Sequence, residues 1–96
     1  MKITELVNAI ELRPLHFLRA FSFQEFDTFL RGYKACLFHL NPNNQDFDTF
    51  ILWLKVRFSP KDYPDWTDYF MEGRNDEKAL SYFFDVWKEF IVSQIK

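Results

Sequence analysis

The sequence has very little cysteine and glycine. Its single cysteine, Cys36, excludes an internal disulfide and is typical of a protein from a reducing compartment. With two glycines and four prolines among 96 residues, the chain has few residues suited to the tight turns of a β-barrel or β-sandwich. These shortages favour helices, and the length fits a single domain, residues 1–96.

Positive charge and long apolar runs are also scarce. The formal net charge is −2 and the sequence pI is about 5.6, so the basic excess that neutralises phosphate backbones is missing. We therefore expect no direct nucleic-acid binding. No apolar run approaches the ~20 residues of a membrane span, and the first residues lack the apolar region and cleavage site of a signal peptide. We expect a cytoplasmic protein with no membrane partner.

Aromatic residues are abundant instead, at 21% of the chain. Each buried ring removes roughly 150–250 Å² from water, so even a short chain can build a dense core. The spacing of these rings and of the aliphatic residues predicts four or five helices. The predicted helices are Ile3 to Leu12, a helix capped by Ser22 and running to about Leu40, Gln45 to Phe58 capped by Asn44, a short one within Asp65 to Glu72 stopped by Gly73, and Asp76 to Ile95 capped by Asn75.

The last predicted helix has the widest apolar face. Its apolar residues recur at steps of three and four and cover about half of the circumference, so it needs neighbours on more than one flank. They are Leu80, Phe83, Phe84, Trp87, Phe90 and Ile91, widened by Ala79 and Val86. We predict a single small all-α domain of four or five helices with a central C-terminal helix.

Three expectations concern the segments before the third helix. Gly32 stands inside the second helix, which suggests that another backbone approaches it closely. Cys36 lies among apolar residues and is expected to be a buried, inert thiol. After Arg13-Pro14, residues 15–20 are expected to form a bend or an irregular extended piece.

Catalytic and metal-binding motifs are missing from the sequence. His16 and His39 have no His or Cys neighbour at a ligand spacing, and the glycines are too few for a phosphate-binding loop. No serine lies in a nucleophile elbow. We therefore predict a protein that is not an enzyme and that holds no cofactor or metal.

Negative charge concentrates in one segment. From Lys61 to Glu77 the chain has six acidic residues against Lys61 and Arg74, a net charge of −4. Aromatic residues occur among these acids, and such a combination suits an interface that steers and anchors a basic partner. The candidate partner-binding residues are Asp62, Tyr63, Asp65, Trp66, Asp68, Tyr69, Glu72, Asp76 and Glu77. The alternative is that Trp66 and Phe70 fill the core while the acids keep the surface soluble.

Several short motifs follow one another along nearly the whole chain. They are Ile10 to Pro14 ending in Arg-Pro, Phe29 to Tyr33 (Phe-Leu-Arg-Gly-Tyr), Phe50 to Phe58, the isolated Trp66, and Asp76 to Phe90. In this order the chain resembles small bacterial immunity proteins of polymorphic toxin and contact-dependent growth-inhibition systems. It departs from their pattern after Arg13-Pro14, where Leu15, His16 and Phe17 replace an expected glycine and Met-Tyr.

The resemblance implies a helical fold and neutralisation of a toxin, and it transfers no functional residues. Together with the acidic segment, it predicts an immunity (antitoxin-like) protein that binds a cognate toxin domain, a basic nuclease in particular. The alternative is a non-catalytic adaptor or structural interaction module that uses an exposed aromatic face, with a homodimer as one form. The sequence leaves the oligomeric state open.

Overall fold

A computed structural model of the chain describes residues 2–40, 47–58 and 65–94. Within these ranges the chain forms five α-helices, one short 3-10 turn and no strand. The elements are α1 (Ile3–Leu12), the 3-10 turn Pro14–His16, α2 (Phe23–Leu40), α3 (Asp48–Phe58), α4 (Trp66–Met71) and α5 (Asp76–Gln94). The prediction of an all-α fold with four or five helices is confirmed. The predicted start of the third helix, with its Asn44 cap, lies outside the described residues.

Helix α5 is the centre of the core, as its wide apolar face predicts. The Phe83 side chain has no exposed surface and packs against rings from three other helices. Its ring centre lies 4.8 Å from that of Phe26 on α2, 5.6 Å from Phe50 on α3 and 5.1 Å from Phe70 on α4. A helix with an apolar face this wide can be covered only by several neighbours, and here three of them meet at one ring.

Helix α1 packs along the C-terminal half of α5. Its buried side chains recur at helical spacing and are Ile3, Leu6, Val7 and Ile10. One part-buried hydrogen bond links the two helices, because the Trp87 indole Nε1–H donates to Asn8 Oδ1 at 2.7 Å. An ion pair of 3.3 Å between Lys88 and Glu11 lies one turn further along.

The helix ends follow local capping chemistry. The Lys78 backbone N–H donates to Asn75 Oδ1 at 2.8 Å, and the Glu25 N–H donates to Ser22 Oγ at 3.4 Å. Gly73 ends the α4 segment with φ of +70°, a left-handed conformation that costs glycine little. These predicted caps and the predicted stop are confirmed.

The C-terminal half of α2 corrects one expectation. Among the side chains of this helix that the structure describes, the fully buried ones are Phe23, Phe26 and Leu30, in its first eight positions. Further along, Cys36 is exposed rather than buried, and Leu40 is 76% exposed. Tyr33 and Leu37 on this half are still partly buried against the core, so the reason for the Cys36 exposure is its position around the helix, at the margin of the face that these two residues form.

Two further expectations need correction. Gly32 is exposed, and within the described residues a Cβ atom placed on it would meet nothing within 4 Å, so the expected close approach of another backbone is wrong there. The expectation for residues 15–20 is wrong in part: Leu15 and His16 belong to the 3-10 turn Pro14–His16, whereas Arg19 and Ala20 lie in a bend, as expected. Proline at the first position of this turn explains the difference, because its fixed φ suits a helical start. Leu18, just after the turn, is buried.

Candidate functional site

The described part of the acidic segment, residues 65–77, comprises Asp65, α4, the turn at Gly73 and the start of α5. Two of the predicted partner-binding residues, Asp62 and Tyr63, lie outside the described residues. The other seven fall within them and divide into three groups: one paired carboxylate, two aromatic residues packed into the fold, and a set of acids near the turn.

Asp65 is engaged within the fold. Its Oδ2 accepts a hydrogen bond from Arg31 Nη2 of α2 at 2.7 Å, and Arg31 also pairs with Asp27 at 2.9 Å. The hydrogen bond from Arg31 holds the pKa of the Asp65 carboxyl below its usual value. Asp65 therefore ties the start of α4 to α2. Two carboxylates share one guanidinium there, which leaves one negative charge.

Trp66 and Tyr69 face the core. The half-buried Trp66 ring lies 5.4 to 6.4 Å from five other rings, those of Phe23, Phe47, Phe50, Phe70 and Phe83. Tyr69 shares a hydroxyl hydrogen bond of 2.8 Å with Tyr82, and burial together with this bond raises the pKa of Tyr69 to about 12. Both rings thus contribute packing to the fold, and Phe70 beside them is fully buried.

The remaining acids form what we call the acidic corner: Asp68, Glu72, Asp76 and Glu77. Asp68, Glu72 and Glu77 are exposed, and none of them has an ion-pair partner within the described residues. Asp76 is half-buried, and its Oδ1 is buried without a hydrogen-bond partner in the described part of the chain. The corner therefore carries negative charge that no described cation offsets directly.

Arg74 lies in the middle of this corner, yet its guanidinium is directed to the backbone. Its Nη1 donates to the carbonyl oxygens of Tyr69, Phe70 and Glu72, at 3.3 Å each. Its guanidinium carbon lies 4.0 Å from the centre of the Tyr82 ring. Arg74 thus satisfies carbonyls at the C-terminal end of α4 and holds the turn against α5.

Sequence reasoning missed the roles of Arg31 and Arg74. The Asp27/Arg31 spacing of four residues is a helical ion-pair signal and was available. The contact between Arg31 and Asp65 spans 34 residues and leaves no local pattern. For Arg74 the signal was its position just after a helix-ending glycine, where a cation can bind the last carbonyls.

The described residues contain no group of three or more His, Cys, Asp or Glu side chains placed to hold a metal ion. His16 and His39 are both exposed and lie on separate elements, the 3-10 turn and the end of α2. No described helix is both long enough and apolar enough to cross a membrane.

Comparisons of the chain with protein-family models, with curated proteins and with solved structures found no match.

Proposed function

We propose that this protein is an immunity-type binding protein, which neutralises a cognate bacterial toxin domain by covering a basic surface of that domain. A nuclease domain fits best, because proteins that bind phosphate backbones present positive charge around their active sites. The observation that carries the proposal is the acidic corner. It holds three exposed carboxylates without an ion-pair partner among the described residues, while Arg74 beside them binds backbone carbonyls.

The rigidity of the corner supports this function. The Arg74 hydrogen bonds, the positive φ of Gly73 and the Asn75 cap fix the geometry between the end of α4 and the start of α5. Carboxylates held on such a frame lose little freedom on binding, and their uncompensated charge speeds encounter with a basic partner.

The core-directed Trp66 and Tyr69 change how this interface would work. Both rings pack against other side chains of the fold. The acids would therefore attract a basic partner and make polar contacts with it, while the two rings hold α4 in place beneath them. The adaptor alternative needs an exposed aromatic face. Among the side chains that the structure describes, Phe29, at 36%, is the one exposed aromatic residue.

The first test is co-purification with the protein domain encoded immediately upstream of the gene, at low and at high salt. The proposal expects a stable 1:1 association between one immunity chain and one toxin domain, weakened by salt because screening acts on exposed charges. Absence of a complex, with the protein shown to be folded, would overturn the proposal.

A charge-matched pair of variants locates the interface. The corner variant combines Asp68→Asn, Glu72→Gln and Glu77→Gln. The control variant removes the same charge from exposed acids elsewhere, by Glu5→Gln, Asp48→Asn and Asp85→Asn. We expect the corner variant to slow association by roughly tenfold at low salt, and the control to change it far less. Equal effects of the two variants would mean that the corner is the wrong surface.

A further inference from the structure

A second surface lies between α1 and the C-terminal half of α5. It is an apolar groove of about 480 Å³. Its lining residues are Asn8, Glu11, Leu12, Trp87, Lys88, Ile91 and Val92. Trp87 is only 1% exposed and its indole N–H already binds Asn8, so its polar group is satisfied within the fold. The groove therefore offers apolar surface to an occupant.

Its walls project strongly into solvent. Leu12 is 77% exposed at the end of α1, and Val92 is 65% exposed near the end of α5. Burying aliphatic side chains of this size is favourable because it removes apolar surface from water. A hollow and two projecting aliphatic side chains thus occur on one face of the molecule.

The charge at this groove is balanced. Glu11 and Lys88 form an ion pair of 3.3 Å within the lining, so the groove contributes one charge of each sign. The acidic corner is different, because its charges have a single sign. Glu77 and Ile91 are fourteen residues apart on α5, about 21 Å, which places the two surfaces towards opposite ends of that helix.

We propose that a second copy of this chain docks on the groove and forms a two-fold symmetric dimer. In such a dimer the same patch meets itself, so each copy must supply both the projection and the hollow. Leu12 and Val92 of each copy enter the groove of the other copy. The balanced charges let two identical faces approach without repulsion, whereas a strongly basic partner gains nothing from them.

The size of the patch sets the strength of the dimer. Stable dimers bury about 800 Å² per partner, and two projecting aliphatic side chains supply only a part of that area. The dimer is therefore weak, with a dissociation constant on the order of micromolar. It leaves the acidic corner of each copy free, so a dimer offers two partner-binding surfaces.

Sedimentation equilibrium of the full chain, from about 1 µM to about 500 µM, tests the proposal. We expect the wild type to shift from monomer to dimer across this range. Leu12→Lys and Val92→Lys should each raise the dissociation constant at least tenfold, with circular dichroism confirming the fold. High salt should not dissociate the dimer, because apolar burial is not screened.

Val56→Lys is the matched control. Val56 is 84% exposed on α3 and lies outside the groove lining, so its replacement should change the dissociation constant less than twofold. A wild type that stays monomeric at every concentration would overturn the proposal. An effect of Val56→Lys as large as that of Val92→Lys would do the same, because it would indicate unspecific association.

The test is independent of the proposed function. A dimer with no toxin complex removes the immunity function and leaves the groove assignment standing. A monomeric wild type whose Leu12→Lys variant loses toxin binding would assign the groove to the toxin, and would overturn the dimer alone.

Discussion

Replacement of Phe83 by alanine should be among the most damaging single changes in this protein. Phe83 has no exposed surface, and its ring centre lies 4.8 to 6.2 Å from seven other rings. Those rings belong to α2, α3, α4 and α5. The side chain is thus the point at which four helices meet.

The expected loss follows from this packing. A buried Phe→Ala change costs about 3–5 kcal/mol, and the larger values apply where the surroundings cannot collapse into the cavity. Rigid rings on all sides collapse poorly, so we expect about 4–5 kcal/mol for Phe83→Ala. A domain of this size has a free energy of unfolding of roughly 5–14 kcal/mol, so this loss would remove almost all of it at the lower end of the range and about a third of it at the upper end.

Urea unfolding followed by circular dichroism measures this loss. For a denaturant slope of about 1.5 kcal/mol/M, the midpoint should fall by about 3 M. Phe83→Leu refills most of the volume and should lose only about 1–1.5 kcal/mol. Phe29→Ala is the control, because Phe29 is 36% exposed and its one ring contact in the described structure is with Phe17 at 6.2 Å.

The control should lose about 1 kcal/mol or less. If Phe83→Ala lost less than about 2 kcal/mol, or no more than Phe29→Ala, Phe83 would not be the centre of the core. The packing argument for α5 would then be wrong.

Three other expectations follow from single positions. Gly32→Ala should raise the free energy of unfolding by about 0.5–1 kcal/mol, because Gly32 lies inside a helix with free space for a methyl group. Gly73→Ala should lower the free energy of unfolding by about 1 kcal/mol, because Gly73 has a φ of +70°. Urea unfolding measures both changes. Tyr69, with its pKa raised to about 12, should stabilise the fold fully below about pH 10 and less as the pH rises through 12. Tyrosinate absorbance should show that Tyr69 ionises at higher pH than an ordinary tyrosine, and Tyr82→Phe should lower the pKa of Tyr69. The exposed Cys36 should react with a thiol reagent in the folded protein as completely as in the unfolded protein.

Local patterns predicted the elements well. The apolar residues of the last helix recur at every third and fourth position, and Leu80, Phe83 and Phe90 are indeed buried. The helix N-caps could be predicted equally well, because Ser22 and Asn75 accept hydrogen bonds from backbone N–H groups three residues further along the chain. Both kinds of signal are contained within a few turns of chain, so no knowledge of the tertiary fold was needed.

Exposure could not be predicted in the same way. Periodicity identifies one face of a helix but not how far a neighbour covers it, and for this reason Cys36 was wrongly expected inside. The apolar groove between α1 and α5 could not be predicted from the sequence for a related reason. Leu12 and Val92 stand eighty residues apart, and only the packing of α1 on α5 brings both to one hollow.

The candidate site was predicted in part. The acidic segment was visible as a run of charge, yet the sequence could not separate its members. Asp65 is paired with Arg31, and Trp66 packs on core rings, because of contacts with α2 and α3 that no local spacing reveals. What remains exposed is a smaller set than the sequence suggested.

Helix dipoles distinguish the acids of the corner further. Asp68 lies in the first turn of α4, and Asp76 and Glu77 lie in the first turn of α5, where negative charge stabilises a helix whatever its function. Glu72 follows the last residue of α4, at the end where the dipole disfavours a negative charge. It is exposed and has no ion-pair partner within the described ranges, so the fold gains little from its carboxylate.

A change at Glu72 should therefore affect partner binding without lowering the stability of the fold. Glu72→Gln removes an unfavourable charge from a helix C-terminus and should leave the free energy of unfolding unchanged or raise it by a few tenths of a kcal/mol. The same change should slow association with a basic toxin domain, measured by stopped-flow mixing at low salt. Asp68→Asn, which removes a first-turn charge, should instead lower stability while slowing association. A Glu72→Gln variant that loses about 1 kcal/mol or more would give Glu72 a structural role, and its carboxylate would then no longer argue for a partner.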